Sequence, residues 1–156
     1  MNASENTRNL LRTNSENLDF RALVHLLDQD LAIRDGEDHA FYDQFNKIDK
    51  IAHALVAFEG GQPIGCGAIR AYAPTIMEVK RMFVLPAYRG KGVAAAILIE
   101  LERWAAELGY THCRLETGKK QPEAIGLYQK SGYTLIPNYG PYEQAENSVC
   151  MEKSLG

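Results

Sequence analysis

The sequence predicts one α/β domain with a central mixed, mostly antiparallel sheet of about six to seven strands and about four flanking helices. Short strand-like runs divided by glycine and proline come first, which is typical of an antiparallel meander. A strand, a glycine-rich turn, a helix and another strand follow, and a right-handed crossover of this kind places its two strands parallel. The 156 residues suffice for one domain with a substantial core, so we expect residues 1–156 to form a single unit.

The first half of the chain is predicted to supply two helices and the meander. Residues 1–7 are polar and are expected to be loose at the chain end. The predicted elements are a strand at 8–13, a helix at 18–33 preceded by the cap-type residues Asn14 and Ser15, a helical segment at 39–45, and strands at 54–58, 63–71 and 76–85. Gly60 and Gly61 suit the first hairpin turn, because glycine accepts a positive φ.

The second half is predicted to complete the sheet. Its predicted elements are a helix at 92–108, a strand at 111–116, a helix at 121–131, a strand at 133–136, a loop at 137–142 and a final edge strand at 149–153. The strand at 111–116 follows a strand–helix unit and should therefore lie parallel to the strand at 76–85. An exposed final edge strand would favour a homodimer.

Composition excludes several classes of protein. The net charge of −3 and the pI of about 5.8 argue against a nucleic-acid surface. The three cysteines lie far apart and the four histidines have no paired spacing, so we expect neither a disulfide framework nor a metal site. No apolar run approaches the ~18 residues of a membrane span, and the N-terminus does not resemble a signal peptide. We predict a cytoplasmic protein without membrane partners.

The turn at 89–92, Arg-Gly-Lys-Gly, joins a predicted strand to a predicted helix. A helix N-terminus leaves backbone N–H groups without partners, and the helix dipole and two cationic side chains add positive potential. Such a corner binds anions, most often phosphate. The spacing matches neither the P-loop nor the complete dinucleotide fingerprint, since Ala95 stands where a third glycine would be.

Two longer strings carry a family resemblance. The string VLPAYRGKGVA, residues 84–94, resembles the R/Q-x-x-G-x-G/A motif of the GNAT acyltransferases. Residues 121–133 are similar to the family stretch N-x-x-A-x-x-L-Y-x-x-x-G-F, with Gln121 in place of asparagine and Tyr133 in place of phenylalanine. The resemblance spans roughly residues 55–153, and the chain is identified as a small bacterial single-domain member of this superfamily.

The resemblance implies acetyl-coenzyme A as acyl donor, held in a cleft where two central strands splay apart. It implies that the turn and helix start bind the pyrophosphate and that the preceding strand meets the pantetheine arm. The implied donor-binding residues are Met82, Phe83, Val84, Arg89, Gly90, Lys91, Gly92, Val93, Ala94 and Gln121.

Tyr128 is implied to be catalytic, because the family places this tyrosine beside the thioester sulfur. A phenol with a pKa of ~10 can donate a hydrogen bond to a departing thiolate or protonate it. The alternative is a helix tyrosine packed in the core with its hydroxyl satisfied.

Glu78 is the second implied catalytic residue, since it matches the general base of the histone-acetyltransferase branch. An amine with a pKa of ~10.4 must lose a proton before it attacks. The alternative is an ion pair with Arg70 or Arg81, and Glu116 is a reserve candidate for the base. Strict alternation would place Glu78, Lys80 and Met82 on one face of the strand, and Val79, Arg81 and Phe83 on the other.

Regions that contact the acceptor in this family hold Tyr42, Tyr139 and Tyr142 here, and plain core packing is the alternative. The implied function is an acetyl-coenzyme A-dependent N-acetyltransferase that acts on the amine of a small molecule or peptide by direct attack in a ternary complex. Two alternatives stay open. One is a non-catalytic acyl-coenzyme A sensor, and the other is a transferase with another acyl donor.

Overall fold

The computed structural model describes residues 7–38 and 50–156, in which seven strands form one mixed sheet. The strands are β1 (Arg8–Thr13), β2 (His53–Glu59), β3 (Gln62–Ala73), β4 (Ile76–Val84), β5 (His112–Gly118), β6 (Thr134–Ile136) and β7 (Ser148–Ser154). The described α-helices are α1 (Leu18–Asp35), α2 (Val93–Glu107) and α3 (Pro122–Lys130). The strand order is β1-β2-β3-β4-β5-β7-β6. The predicted segment at 39–45 lies outside the described residues, and so does all of 1–7 except Thr7.

The predicted mixed sheet is confirmed. β1 to β4 form an antiparallel series, and β5 lies parallel to β4, as the crossover through α2 requires. The first residues of α1 and α2 are preceded by residues suited to an N-cap. The side chain of Asn17, three residues after the predicted cap at Asn14, accepts the Phe20 N–H at 2.9 Å and caps α1. Gly92 caps α2 from the left-handed region without a side chain.

The prediction of a final edge strand was wrong. β7 pairs with β5 along its whole length on one side and with the three-residue strand β6 on the other, so β6 is the strand at that edge. A seven-residue strand gains more backbone hydrogen bonds beside β5 than the short β6 could make there, which accounts for the order. The argument for a homodimer through the final strand therefore does not hold.

The sheet is buried on both faces. On one face α1 packs through Phe20, Leu23 and Val24 into an apolar cluster with β2 and β3. On the other face α2 packs through Ile97 and Leu101 into a larger cluster that also receives α3. Sandwiching by helices explains why the central strands carry apolar residues on both sides.

A β-bulge interrupts β4 opposite Gly67. Cys66 pairs with Phe83 and Ala68 pairs with Lys80, so two residues of β4 oppose one residue of β3. Arg81, the first of the two, has a φ of 62°, in the region that favours glycine.

The bulge makes the predicted alternation wrong beyond Lys80. Arg81 donates a hydrogen bond to Asp28 of α1, and Phe83 packs in the cluster of α1. Met82 instead packs in the cluster of α2. The inserted residue reverses the alternation, so Arg81 shares the α1 face with Glu78.

β4 and β5 separate soon after they begin to pair. Their parallel pairing covers only 76–78 against 112–114, although both strands continue. Beyond this point β4 presents a backbone edge that β5 does not use. The splayed cleft that the resemblance implied is therefore present in the fold.

Two glycine substitutions should change stability in opposite directions. A Cβ at Gly67 would lie 2.7–2.9 Å from Met82, Leu101 and Ile97 in the packed core, so Gly67→Ala should lower the free energy of unfolding by about 1–3 kcal/mol. At Gly126, inside α3, a Cβ meets nothing within 4 Å, and Gly126→Ala should raise it by up to about 1 kcal/mol. Urea unfolding measures both, and a neutral result at Gly67 would contradict the packing described.

Candidate active site

A cavity of about 110 Å³ lies at the split between β4 and β5. Five of its residues come from β4 and three from β5, and the rest come from α1, the start and body of α3, and the turn before β7. The lining residues are Leu27, Leu31, Glu78, Val79, Lys80, Arg81, Met82, Glu116, Thr117, Gly118, Gln121, Ala124, Tyr128 and Tyr142. Strand ends that diverge in this way form the usual crevice for ligands in open α/β sheets.

The glycine turn lies just past the end of β4. Gly90 and Gly92 have φ values of 76° and 81°, and a Cβ at either would meet nothing within 4 Å. The first backbone bond of α2 runs from the Ala96 N–H to the Gly92 carbonyl at 3.1 Å, so the N–H groups before it lack a helical acceptor. The turn therefore presents backbone donors on an open side, which suits an anion.

The two cations of the turn have different contacts. Arg89 donates through Nε to the Val84 carbonyl at 2.9 Å, and its guanidinium lies 5.5 Å from the Phe83 ring. Arg89 thus braces the turn against β4. The Lys91 ammonium lies 5.7 Å from the Tyr88 ring.

The structure divides the predicted donor-binding residues between two places. Met82 and Gln121 line the cavity, whereas 89–94 form the turn and helix start. The side chains of Phe83, Val84 and Val93 are buried in the core, so only their backbone could meet a ligand.

Tyr128 lies on the cavity wall, 6% exposed, with its ring 5.8 Å from that of Tyr133. Within 7–38 and 50–156 its hydroxyl makes no hydrogen bond, and the oxygen is not sealed from solvent. Burial, and secondly the negative charge of Glu116, raise the pKa of this hydroxyl. The raised pKa keeps the proton on the phenol, which lies on the cavity wall.

Glu78 lies on the same wall and is 4% exposed. One carboxylate oxygen accepts the Tyr139 hydroxyl at 2.7 Å. The other accepts Arg70 Nη2 at 3.3 Å and lies 3.9 Å from Lys80 Nζ. The ion pair with Arg70 that the sequence left open is therefore formed, while Arg81 pairs elsewhere.

Lys80 and Glu116 complete the charged wall. Burial lowers the pKa of the Lys80 ammonium, while the charges of Glu78 and Glu116 act in the opposite direction. Glu116 accepts a hydrogen bond from the Ser148 hydroxyl at 2.8 Å. The cavity thus holds two carboxylates with a lysine that both of them influence.

The three predicted acceptor tyrosines have different locations. Tyr142 lines the cavity. Tyr139 does not, because its buried ring contacts Tyr72 and Arg114 and its hydroxyl is bound to Glu78. Its role is to hold Glu78 in place. Tyr42 lies outside the described residues.

Sequence reasoning missed Lys80 and Arg81 as site residues. Both line the cavity from the middle of a central strand. Two consecutive basic residues in a strand whose remaining residues, apart from Glu78, are apolar were the available signal, since buried cations need partners. The bulge that turns them to one face left no local mark in the sequence.

The part of the chain that the structure describes contains no cluster of three or more potential metal-ligating side chains. None of its helices combines the length and apolar character of a membrane span.

Comparison with known proteins identifies the family. The model of the Acetyltransferase (GNAT) family matches residues 20–133. The IAA acetyltransferase of Azospirillum brasilense is 40% identical over 102 residues, which cover 65% of this chain and 67% of that protein. The structure of a Klebsiella pneumoniae protein assigned as an acyl-CoA N-acyltransferase superposes with a TM-score of 0.80 and 28% identity, covering 96% of this chain and 99% of that one.

A more distant structure shares the fold. The PaiA N-acetyltransferase of Thermoplasma acidophilum, solved in complex with coenzyme A, has a TM-score of 0.70 at 19% identity and covers 95% of this chain and 99% of its own. The split sheet, the glycine turn and these matches define an α/β acyltransferase. The chain belongs to the Acetyltransferase (GNAT) family.

Alkaline titration should reveal the buried phenols. Burial raises the pKa of Tyr128, Tyr133, Tyr139 and Tyr142 above the ordinary ~10. Because the unfolded chain loses these protons first, the stability they contribute is present below pH ~10 and is lost as the pH rises above it. Urea unfolding between pH ~9 and ~11.5 should show this decline. Tyr128→Phe should reduce its limiting slope by about 1.4 kcal/mol per pH unit.

Absorbance at about 295 nm follows tyrosine ionisation in the folded protein and serves as the control. Ionisation of all eight tyrosines of the folded chain with midpoints near 10 would contradict the burial described.

Proposed function

We propose that this protein is an acetyl-coenzyme A-dependent N-acetyltransferase that transfers an acetyl group to the amine of a small molecule or peptide by direct attack in a ternary complex. The observation that carries the proposal is the Tyr128 hydroxyl, which has no partner among the described residues and opens on the cavity between β4 and β5. A tyrosine that served only packing would have its hydroxyl satisfied.

The chain offers features that fit coenzyme A. The turn at 89–92 presents backbone N–H groups at a helix start on an open side, which suits a pyrophosphate. The edge of β4 that β5 leaves unpaired, at 82–84, suits the amide groups of a pantetheine arm, because an extended ligand can add to a free strand edge. The coenzyme A in the T. acidophilum relative supports this assignment.

The thioester, when bound, supplies an electrophilic carbonyl carbon and a sulfur leaving group. Transfer forms a bond from the amine nitrogen to that carbon and breaks the carbon–sulfur bond, and the sulfur departs with the electron pair. Tyr128 donates a hydrogen bond to the departing sulfur and keeps its own proton, because its raised pKa lies above that of a thiol. The thiolate then takes a proton from the solvent.

The amine proton needs an acceptor at the cavity. Glu78 is the proposed base, held by Tyr139 and Arg70 so that its carboxylate keeps one orientation. Glu116, fixed by Ser148, lies on the same cavity and remains the reserve candidate.

Two alternatives predict different behaviour. A sensor would bind acyl-coenzyme A without releasing thiol, and the open Tyr128 hydroxyl favours transfer over this role. Another acyl-coenzyme A donor would use the same turn and cleft with a different pocket depth. The cytoplasmic location stays a prediction.

Replacement of Tyr128 tests the function. Wild-type protein mixed with acetyl-coenzyme A and a panel of amines should release thiol only when an acceptor is present. Tyr128→Phe should lower kcat by about 100-fold and leave coenzyme A affinity near that of wild type, because only the hydrogen bond to the departing sulfur is lost. Tyr110→Phe, in the turn before β5, is the matched control. Binding of acetyl-coenzyme A without thiol release across the panel would favour the sensor.

Replacement of Gly92 tests the turn. Gly92→Ala adds a Cβ on the open side of the turn at a φ of 81°, and we expect the Kd for coenzyme A to rise about tenfold or more. Gly109→Ala carries a similar backbone strain at a φ of 92°, just past the other end of α2, and should leave this Kd unchanged. Calorimetric titration measures both. Equal losses in the two variants would mean that strain, not the anion site, is responsible.

A further inference from the structure

We propose that Arg81 binds a carboxylate of the acceptor, and that the acceptor is therefore a small apolar amino acid or a close analogue. This inference rests on the proposed function in that it concerns the second substrate of the same cavity. It names a chemical class that acyl transfer alone does not require.

Arg81 is a buried cation with three of its five N–H donors, on Nε and Nη2, unused. Its side chain is 2% exposed, and only Nη1 is paired, to Asp28 at 2.9 Å. Nε and Nη2 are shielded from water and have no hydrogen-bond partner within 7–38 and 50–156. Among the described residues these are the only buried side-chain nitrogen or oxygen atoms of this kind. A buried donor without a partner is costly, and a charged one more so.

The two unused atoms form one edge of the guanidinium group. The N–H bonds of Nε and Nη2 point the same way, and this fork matches the two oxygens of a carboxylate. The same protein shows the edge in use. Arg114 donates through Nε at 2.9 Å and through Nη2 at 2.6 Å, in both cases to the single oxygen Oε2 of the Glu152 carboxylate. At Arg81 the corresponding acceptor is not supplied by any described residue.

Arg81 lies where an acceptor would meet it. It lines the cavity together with Tyr128 and Glu78, so a group bound to it stays close to the proposed reacting atoms. The left-handed backbone at Arg81 turns its side chain to the α1 face of the sheet. Such backbone strain persists only where the surrounding structure holds it in place.

The rest of the cavity suits the other parts of an amino acid. Leu27 and Leu31 of α1 form an apolar wall for a side chain. Glu78 and Glu116 provide carboxylates for an ammonium group, and Lys80 adds a second cation beside Arg81. Opposite charges on one wall suit a zwitterion better than a simple amine, which would leave the Nε and Nη2 donors of Arg81 without an acceptor.

A pair of ligands without amines tests the carboxylate site apart from transfer. N-acetyl-L-leucine and N-acetyl-L-leucinamide differ only in the carboxylate, and neither can be acetylated further. In calorimetric titrations the acid should bind wild-type protein about 10-fold to 100-fold more tightly than the amide. Arg81→Gln should remove this difference and leave amide binding unchanged. Arg103→Gln, which removes an exposed cation of α2, should keep it.

Arg81→Lys serves as a second variant that keeps the charge and loses the fork. It should retain a smaller preference for the acid, and it gives a result where the glutamine variant does not fold. Equal binding of acid and amide by the wild type would overturn the proposal, and so would a preference that survives in Arg81→Gln.

Turnover separates this proposal from the proposed function. With L-leucine as acceptor, Arg81→Gln should raise KM by about tenfold or more with a smaller change in kcat, whereas Tyr128→Phe should lower kcat. Arg81-dependent acid binding without any thiol release would support the carboxylate site and reject acetyl transfer. Thiol release with many amines, but no Arg81-dependent preference for the acid, would support acetyl transfer and reject the carboxylate site.

Discussion

The bulge in β4 opposite Gly67 is the constraint on which the rest of the structure depends. One extra residue in this strand reverses its alternation, so that Met82 enters the core beneath α2 while Arg81 turns toward α1. A bulge also bends and twists its strand, which fits the loss of pairing with β5 beyond 76–78. The glycine at 67 is part of the same feature, since a Cβ there would occupy the space that Met82 fills. Core packing and cleft therefore have one origin.

The charges around the cleft follow from its burial. Each ionised side chain on the wall must find a partner, because an isolated charge away from water costs more than hydrophobic packing returns. Glu78 is held by Tyr139 and Arg70, and Glu116 by Ser148. These contacts leave the carboxylates little freedom, which the proposed proton acceptor would need. Arg81 is an exception, because the Nε and Nη2 atoms of its guanidinium have no partner among the described residues.

Local chemistry made part of this predictable from the sequence. The glycine turn and α2 follow from the glycines at 90 and 92 and the apolar residues after them, and the place of Tyr128 follows from the family resemblance of residues 121–133. The order of the last strands could not be predicted locally. The position of β7 between β5 and β6 follows only from comparing the backbone hydrogen bonds that β7 makes beside β5 with those that β6 would make there. The contact between Tyr139 and Glu78 joins residues 61 positions apart, and no local pattern encodes it.

The proposed site likewise has one end that the sequence predicts and one end that only the tertiary structure reveals. The proposed donor end consists mainly of backbone, namely the N–H groups of the turn at 89–92 and the free edge of β4, and backbone recognition is insensitive to most substitutions. The proposed acceptor end consists of side chains that meet only through tertiary packing. A family resemblance therefore transfers the donor end between proteins of low identity and leaves the acceptor end to the individual chain. In this chain the individual feature is Arg81, because its Nε and Nη2 are buried donors for which the described residues supply no acceptor.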